Sequence, residues 1–319
     1  MKVIIVGATG ETGQSIVNGL LGAPAEFDIT AITRKSSINN SKNQKLRDDG
    51  VKVVGVDLDG PQEDLVNVIS GADTLISCLN PQAFQSQVPL ADAAKKAGVK
   101  RFVPCFFATV APPKGVMSLR EQKEDILNYI KKIYLPYTVI DVGWWYQLTP
   151  PRLPSGRIDS SLVAPCQGLY GDGTTLSALT DSRDIGRYVA RIIDDPRTLN
   201  NMVFAYSETL TQIQVYQTLE RLSQEKLEYN YITKEALENR ISLARDALNR
   251  ASAEDYRARA ALWNAEYGYS WGVRGDNAPE RARFLGYLDV KDLYPDAEWI
   301  SFETYISELL DGTARRAYS

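Results

Sequence analysis

Through the first half of the chain, short runs of β-branched and aliphatic residues alternate with longer stretches whose apolar positions recur at helical spacing. This pattern predicts strands at 3–6, 29–33, 52–56, 74–77, 101–104 and 138–142, with helices at about 12–21, 62–69, 89–97 and 118–133. Strands separated by helices of this length pair in parallel through right-handed crossovers. The fold expected is therefore α/β, a doubly wound parallel sheet of the Rossmann type.

The pattern changes after Trp145. Thr149-Pro150-Pro151-Arg152-Leu153-Pro154-Ser155-Gly156 can continue neither a helix nor a central strand, and Gly168, Gly171 and Gly173 punctuate the next stretch. A helix is predicted from Asp181 to about Ile193, its acidic start suited to the positive end of the helix dipole. From about Glu208 the chain reads as mostly helical, with a charged segment over 233–256. We expect a nucleotide-binding lobe over 1–155, rejoined by 181–205, and a smaller, mainly helical substrate lobe over 156–319. For 237–283 a lid, a dimer surface and a solvated helical cap all remain open.

Gly7-Ala8-Thr9-Gly10-Glu11-Thr12-Gly13 follows the first strand and opens the first helix. In that context Gly7 permits a tight turn, Gly10 lets backbone approach a pyrophosphate, and Gly13 lets helix pack closely on strand. The second predicted strand ends in Thr33-Arg34-Lys35. A site selective for NAD would place an acid there for the ribose 2'-hydroxyl; a guanidinium instead suits a 2'-phosphate, so Arg34 and Lys35 point to NADPH/NADP+. Leu79 and Asn80, just past the fourth strand, are expected beside the same cofactor.

Composition narrows the chemistry. The chain of 319 residues is 44% hydrophobic and carries a formal charge of -4, so no global positive field holds nucleic acid or an anionic membrane. No apolar run is long enough to span a bilayer, and the opening Met1-Lys2-Val3-Ile4-Ile5-Val6 is too short for a signal peptide, which predicts a cytoplasmic protein. The partners expected are a small-molecule substrate and, as a homodimer, a second copy. Cys78, Cys105 and Cys166 have neither zinc-site nor disulfide spacing, and no metal is expected. Histidine is absent altogether, which excludes Ser-His-Asp and Cys-His catalysis and leaves acid–base work to Lys, Tyr, Cys, Asp or Glu.

The glycine motif, the basic turn, Lys100-Arg101-Phe102-Val103-Pro104, Pro136-Tyr137-Thr138, Thr180-Asp181-Ser182-Arg183-Asp184-Ile185-Gly186 and Leu293-Tyr294-Pro295-Asp296 together resemble the isoflavone-reductase-like and NmrA-like group of atypical short-chain dehydrogenases. In that group's enzymes a lysine stands on the helix before the Pro-Tyr-Thr strand, and Lys123 is the match, implied to be catalytic and to lie beside the cofactor. The tyrosine of a Tyr-x-x-x-Lys pair is missing, since Leu119 stands four residues earlier. Where those reductases tend to read Pro-Ser-Glu-Phe-Gly, this chain has Pro104-Cys105-Phe106-Phe107-Ala108, with Phe106 expected at the cofactor. Phe107, Trp144, Trp145, Tyr146 and Tyr170 are expected to line an aromatic substrate pocket.

The resemblance implies an oxidoreductase of secondary metabolism, an NADPH-dependent reductase acting on a conjugated double bond, imine or carbonyl of an aromatic or polyketide-like metabolite. Two alternatives stand beside it. One is a non-catalytic dinucleotide sensor of the NmrA type; the other is an isomerase, dehydratase or cyclase that uses the cofactor only as a scaffold.

Overall fold

In the computed structural model, which describes residues 1–251 and 255–318, the first half runs β1 (Lys2–Val6), α1 (Glu11–Leu21), β2 (Asp28–Thr33), α2 (Ser41–Asp48), β3 (Lys52–Gly55), α3 (Gln62–Ile69), β4 (Thr74–Ser77), α4 (Gln87–Lys96), β5 (Arg101–Val103), α5 (Ser118–Lys132) and β6 (Thr138–Asp141). Next come β7 (Trp144–Trp145), β8 (Leu169–Tyr170), β9 (Ser177–Thr180), α6 (Asp184–Ile192), β10 (Asn201–Phe204), β11 (Glu208–Leu210) and α7 (Gln212–Ser223). The chain ends through β12 (Tyr231–Ile232), α8 (Lys234–Arg250), α9 (Tyr256–Tyr267), α10 (Pro279–Phe284), β13 (Tyr287–Asp289), α11 (Val290–Leu293) and α12 (Phe302–Leu310). Part of the charged stretch expected at 233–256 lies outside the described residues.

Two compact units form. The first comprises Met1–Phe107, Gln122–Asp141 and Arg183–Val203. Its sheet is parallel in the order β3-β2-β1-β4-β5, with Val3 in register with Ile29 on one side and Thr74 on the other. Tyr137, just ahead of β6, bridges Phe102 in parallel. Helices cover the sheet, so β1 needs apolar side chains on both faces, and Val3, Ile4 and Ile5 are all fully buried. On one face Ile4, Leu75 and Phe102 pack with Leu65, Ile69, Leu90, Ile126 and Ile130 from the helices. Strand order reverses between β1 and β4, which leaves a crevice beyond their C-terminal ends.

The apolar pattern does not predict α2. Its sequence SKNQKLRD buries only Asn43 and Leu46, one apolar residue being too little to register as a helical stripe. The helix is specified instead by its cap, where the Asn43 amide donates to Asn40 Oδ1.

The second unit comprises Ala108–Glu121, Val142–Ser182 and the chain from Phe204 onward. Residues 108–121 and 142–155, expected in the first lobe, pack here, and the second unit is consequently the longer of the two. Polar ties account for the first of these segments. The Val110 amide donates to Asn277 Oδ1 at 3.1 Å, and the Ser118 amide and hydroxyl donate to the buried Glu266 carboxylate at 2.8 and 2.7 Å. β9 pairs with β7 in parallel and with β11 antiparallel, while β8 pairs with β12. Short strands at 208–210, 231–232 and 287–289 interrupt a region that reads as mostly helical. Leu169, Leu179, Val215 and Leu219 pack with Phe302, Tyr305 and Ile306 of α12 in the core. Among the described residues no helix is long and apolar enough to cross a membrane, and no acidic, cysteine or histidine cluster could hold a metal.

Candidate functional site

At the end of β1 the chain turns sharply into α1. Gly7 has φ +83, and a Cβ there would lie 2.5 Å from the Cys78 carbonyl oxygen, so no other residue fits the turn. Gly10 caps α1 with no side chain over the first amides, and a Cβ on Gly13 would fall 2.2 Å from the Gly7 carbonyl. The helix thus begins with open N–H groups at the mouth of a cleft of about 530 Å³. Of the residues expected at a cofactor, Gly7, Ala8, Thr9, Gly10, Arg34, Leu79 and Asn80 line this cleft. Glu11, Thr12 and Gly13 form the first turn of α1 and are not part of its lining.

Arg34 and Lys35 part company. Arg34 is exposed and borders the cleft, whereas the Lys35 ammonium pairs with Asp64 at 3.2 Å and its amide donates to Asp57 at 3.0 Å. Lys35, expected as a second cofactor cation, is thus placed in an exposed ion pair with Asp64 and is not part of the cleft lining. Asp57 and Asp59 also border the cleft, the former held by that Lys35 amide.

Sequence reasoning missed Asn43. It is fully buried, and its Nδ2 donates to Thr33 Oγ1 at 3.1 Å and to the Ser37 carbonyl at 2.7 Å, tying down both ends of the turn that carries Arg34. Its Oδ1 has no hydrogen-bond partner among the described residues, and the residue lines the cleft. Nothing in a polar octapeptide distinguishes this asparagine from its solvated neighbours. Asn43→Ala should destabilise the first unit by about 2 kcal/mol, because two half-buried acceptors lose their donor; urea unfolding would measure it.

Lys123 projects from α5 and is 5% exposed. Its ammonium donates to the Phe106 carbonyl and sits 5.2 Å from the centroid of the Phe84 ring and 5.7 Å from that of Phe106. A cation this far from bulk water needs such partners, a carbonyl dipole and two ring faces, to remain charged. Cys105 is held beside it by bonds from its amide to Gln87 Oε1 (2.8 Å) and from its thiol to the Leu79 carbonyl (3.0 Å). Burial pushes the Cys105 thiol up against the opposing pull of Lys123, and burial, aided by Cys105, raises Cys78 still further. Both thiols are consequently neutral and are poor nucleophiles.

Phe106 meets the cation through its carbonyl and ring but is itself core, packed on Leu127 and Val139. Phe107 is buried in the first unit with φ +36, an uncommon backbone state for a bulky residue, held by its amide donating to the Ile140 carbonyl at 2.8 Å.

The remaining aromatics divide between cavity and core. In the second unit, Trp144 and Tyr170 line a cavity of about 690 Å³ together with Tyr267 and Trp271. Trp144 stacks on Trp271 at 5.5 Å, and Tyr170 meets Trp271 edge-on at 5.3 Å. Trp145 points to the other face of β7, as the alternation of a strand requires, and stacks on Tyr318; it does not line the cavity. Tyr146 is fully buried against Phe302 and Tyr305 in the core. Of the five aromatics expected in a substrate pocket, Trp144 and Tyr170 line this cavity while Phe107, Trp145 and Tyr146 do not, and Tyr267 and Trp271 are unforeseen members of its lining.

Comparison with known proteins agrees with this geometry. The model of the NmrA-like family matches residues 1–270. The chain is 45% identical over 315 residues to asnovolin J 5',6'-dehydrogenase nvfM of Aspergillus novofumigatus, covering 98% of this chain and 96% of that one. It is 27% identical to an isoflavone reductase-like protein of Olea europaea, covering 97% and 98%. Among solved structures, the leucoanthocyanidin reductase–NADPH complex from Vitis vinifera superposes with a TM-score of 0.78 at 19% identity, covering 98% and 100%, and isoflavone reductase with 0.78 at 24%, covering 96% and 98%. The parallel sheet, the glycine turn and a family match over most of the chain have one common meaning: this protein belongs to the NmrA-like family.

Proposed function

We propose that the protein is an NADPH-dependent reductase that delivers hydride to a conjugated double bond, imine or carbonyl of an aromatic or polyketide-like metabolite. The observation that carries this reading is Lys123, a buried ammonium held by a backbone carbonyl in a unit that also contains an open glycine-rich cleft. NADPH, when bound, supplies the hydride. The residues present fit it: the amides around Gly10 would hold the pyrophosphate, and Arg34 the 2'-phosphate, its turn fixed by Asn43. Lys123 would orient the nicotinamide ribose and supply a proton, directly or through water, to the substrate atom that gains electron density. The aromatic cavity of the second unit has the size and lining to take an apolar metabolite.

The name of the relative from Aspergillus novofumigatus favours carbon–carbon chemistry, since it designates a 5',6' position pair. It also names the oxidative direction, and hydride transfer is reversible. Assaying cyclic enones with NADPH and the corresponding saturated ketones with NADP+ tests both. Loss of reduced-nicotinamide absorbance in proportion to product supports the reading. Product without cofactor turnover would replace it with the non-redox alternative, and a dinucleotide-dependent protein partner without any turnover would replace it with the sensor.

Arg34→Ala should weaken NADPH binding about tenfold to a hundredfold while leaving NADH unchanged, because only the former loses a charge-assisted bond. Calorimetry of both cofactors measures the ratio. Equal losses for the two would place Arg34 outside the 2'-phosphate site.

A further inference from the structure

The cavity of the second unit has an unusual charge inventory. Among the described residues its lining contains no carboxylate and one cation, Arg240, on a helix face that also presents Leu237, Leu243 and Ala244 to the cavity. Arg240 makes no ion pair or hydrogen bond with any described residue. Glu238, the acid closest to it in the sequence of its helix, already receives the Tyr269 hydroxyl at 3.1 Å and the Lys234 ammonium at 3.8 Å. The phenol of Tyr170, which lines the same cavity, likewise has no hydrogen-bond partner among the described residues. Its environment keeps it a donor: burial pushes the phenol up to about 12, with Arg240 close enough to pull the other way.

From this geometry we infer that the cavity binds a flat, largely apolar molecule carrying one anionic group, a carboxylate or an acidic enol, which accepts from the Arg240 guanidinium and the Tyr170 hydroxyl while its rings lie against Trp144 and Trp271. A site of about 690 Å³ admits a drug-sized ligand. Two donors, with no opposing acid among the described lining residues, select its charge. The inference also gives α8 and α9 a part to play, since Ala261, Asn264 and Ala265 of α9 face the same space. It rests on the proposed function only in naming the occupant as a substrate; the binding itself requires neither cofactor nor turnover.

Two fluorescent probes of similar shape separate the claims: anilinonaphthalene sulfonate, which is anionic, and N-phenylnaphthylamine, which is neutral. Both should bind the full-length protein, and both should be lost in Ala244→Trp, which fills the cavity from an accessible helix. Arg240→Gln should weaken the sulfonate by about tenfold or more and the amine by less than about twofold, and Tyr170→Phe should act in the same direction more weakly. Thermal melting verifies that each variant is folded, and Arg240 and Ala244 lie on a helix whose described residues include a single buried one, Leu237. The inference is overturned if neither probe binds, if Ala244→Trp leaves binding intact, or if Arg240→Gln affects the two probes equally. Since NADPH is absent from this titration, such a failure would leave the reductase reading standing, and failure of NADPH turnover would leave this one standing.

Discussion

Replacing Lys123 by alanine is expected to lower kcat by about a hundredfold to ten-thousandfold, the range associated with loss of a positioned general acid. The fold should survive, because the change removes a buried cation and its desolvation cost along with its bond to the Phe106 carbonyl. Dinucleotide affinity should fall far less than kcat, since the glycine turn and Arg34 are untouched. That split between turnover and binding distinguishes a group acting on the reacting atoms from one that merely shapes the cleft. Lys123→Arg sharpens the test: it keeps the charge but cannot release a proton near neutral pH, so activity should remain low if proton supply is the role and recover if only a cation is needed. Full turnover in Lys123→Ala on a verified substrate would remove the residue from the mechanism.

A larger structural effect is expected from Gly186→Ala. α1 and α6 meet backbone to backbone: a Cβ on Gly186 would lie 1.8 Å from the Ser15 carbonyl oxygen, and one on Gly19 would lie 2.1 Å from the Gly186 carbonyl carbon. The Gly186 amide also donates to Ser15 Oγ at 3.0 Å. Neither backbone can yield without separating the helices, so the cost should reach about 4 kcal/mol or more, in the range of severe core overpacking. A fall of about 10 °C in melting temperature corresponds to that figure. Because α1 opens with the glycine turn proposed to hold the pyrophosphate, its displacement should also abolish dinucleotide binding. Gly98→Ala is the control: its φ is +69 but nothing lies within 4 Å of the added methyl, so it should lose only about 1 kcal/mol. Equal losses for the two variants would show that steric contact between the helices is not what matters.

Part of this architecture was legible in the sequence for simple reasons. The alternation of β-branched runs with amphipathic stretches placed β1 to β6 and most of their helices within a few residues, because the central strands are buried on both faces and their composition says so. The glycine turn was legible because backbone geometry there leaves little room for a side chain, and Gly7 and Gly13 record that constraint at a fixed spacing. The asparagine cap of α2 was not, since its evidence is one hydrogen bond and one leucine rather than a period.

The aromatic residues mark where local reading stops. Trp144, Trp145 and Tyr146 are consecutive and chemically alike, yet the first lines a cavity, the second stacks on Tyr318 and the third is sealed in the core. Their fates depend on the alternation of Trp144 and Trp145 across a two-residue strand and, for Tyr146 just beyond it, on what α12 brings against it. Lys35 likewise looks equivalent to Arg34 until Asp64, 29 positions further along the chain though adjacent in space, claims its ammonium.

The sequence alone thus determined the parallel sheet, the glycine turn at the start of α1, the absence of histidine chemistry and the lysine on α5, since each is written in periodicity, in residue type or in fixed local spacing. Only the tertiary structure decided which lysine is buried and which is paired, that Asn43 anchors the Arg34 turn, and that Arg240, with no acid among the described lining residues, borders the cavity of the second unit. Those are properties of neighbours distant in sequence, and burial and charge compensation come into being only when the chain has brought them together.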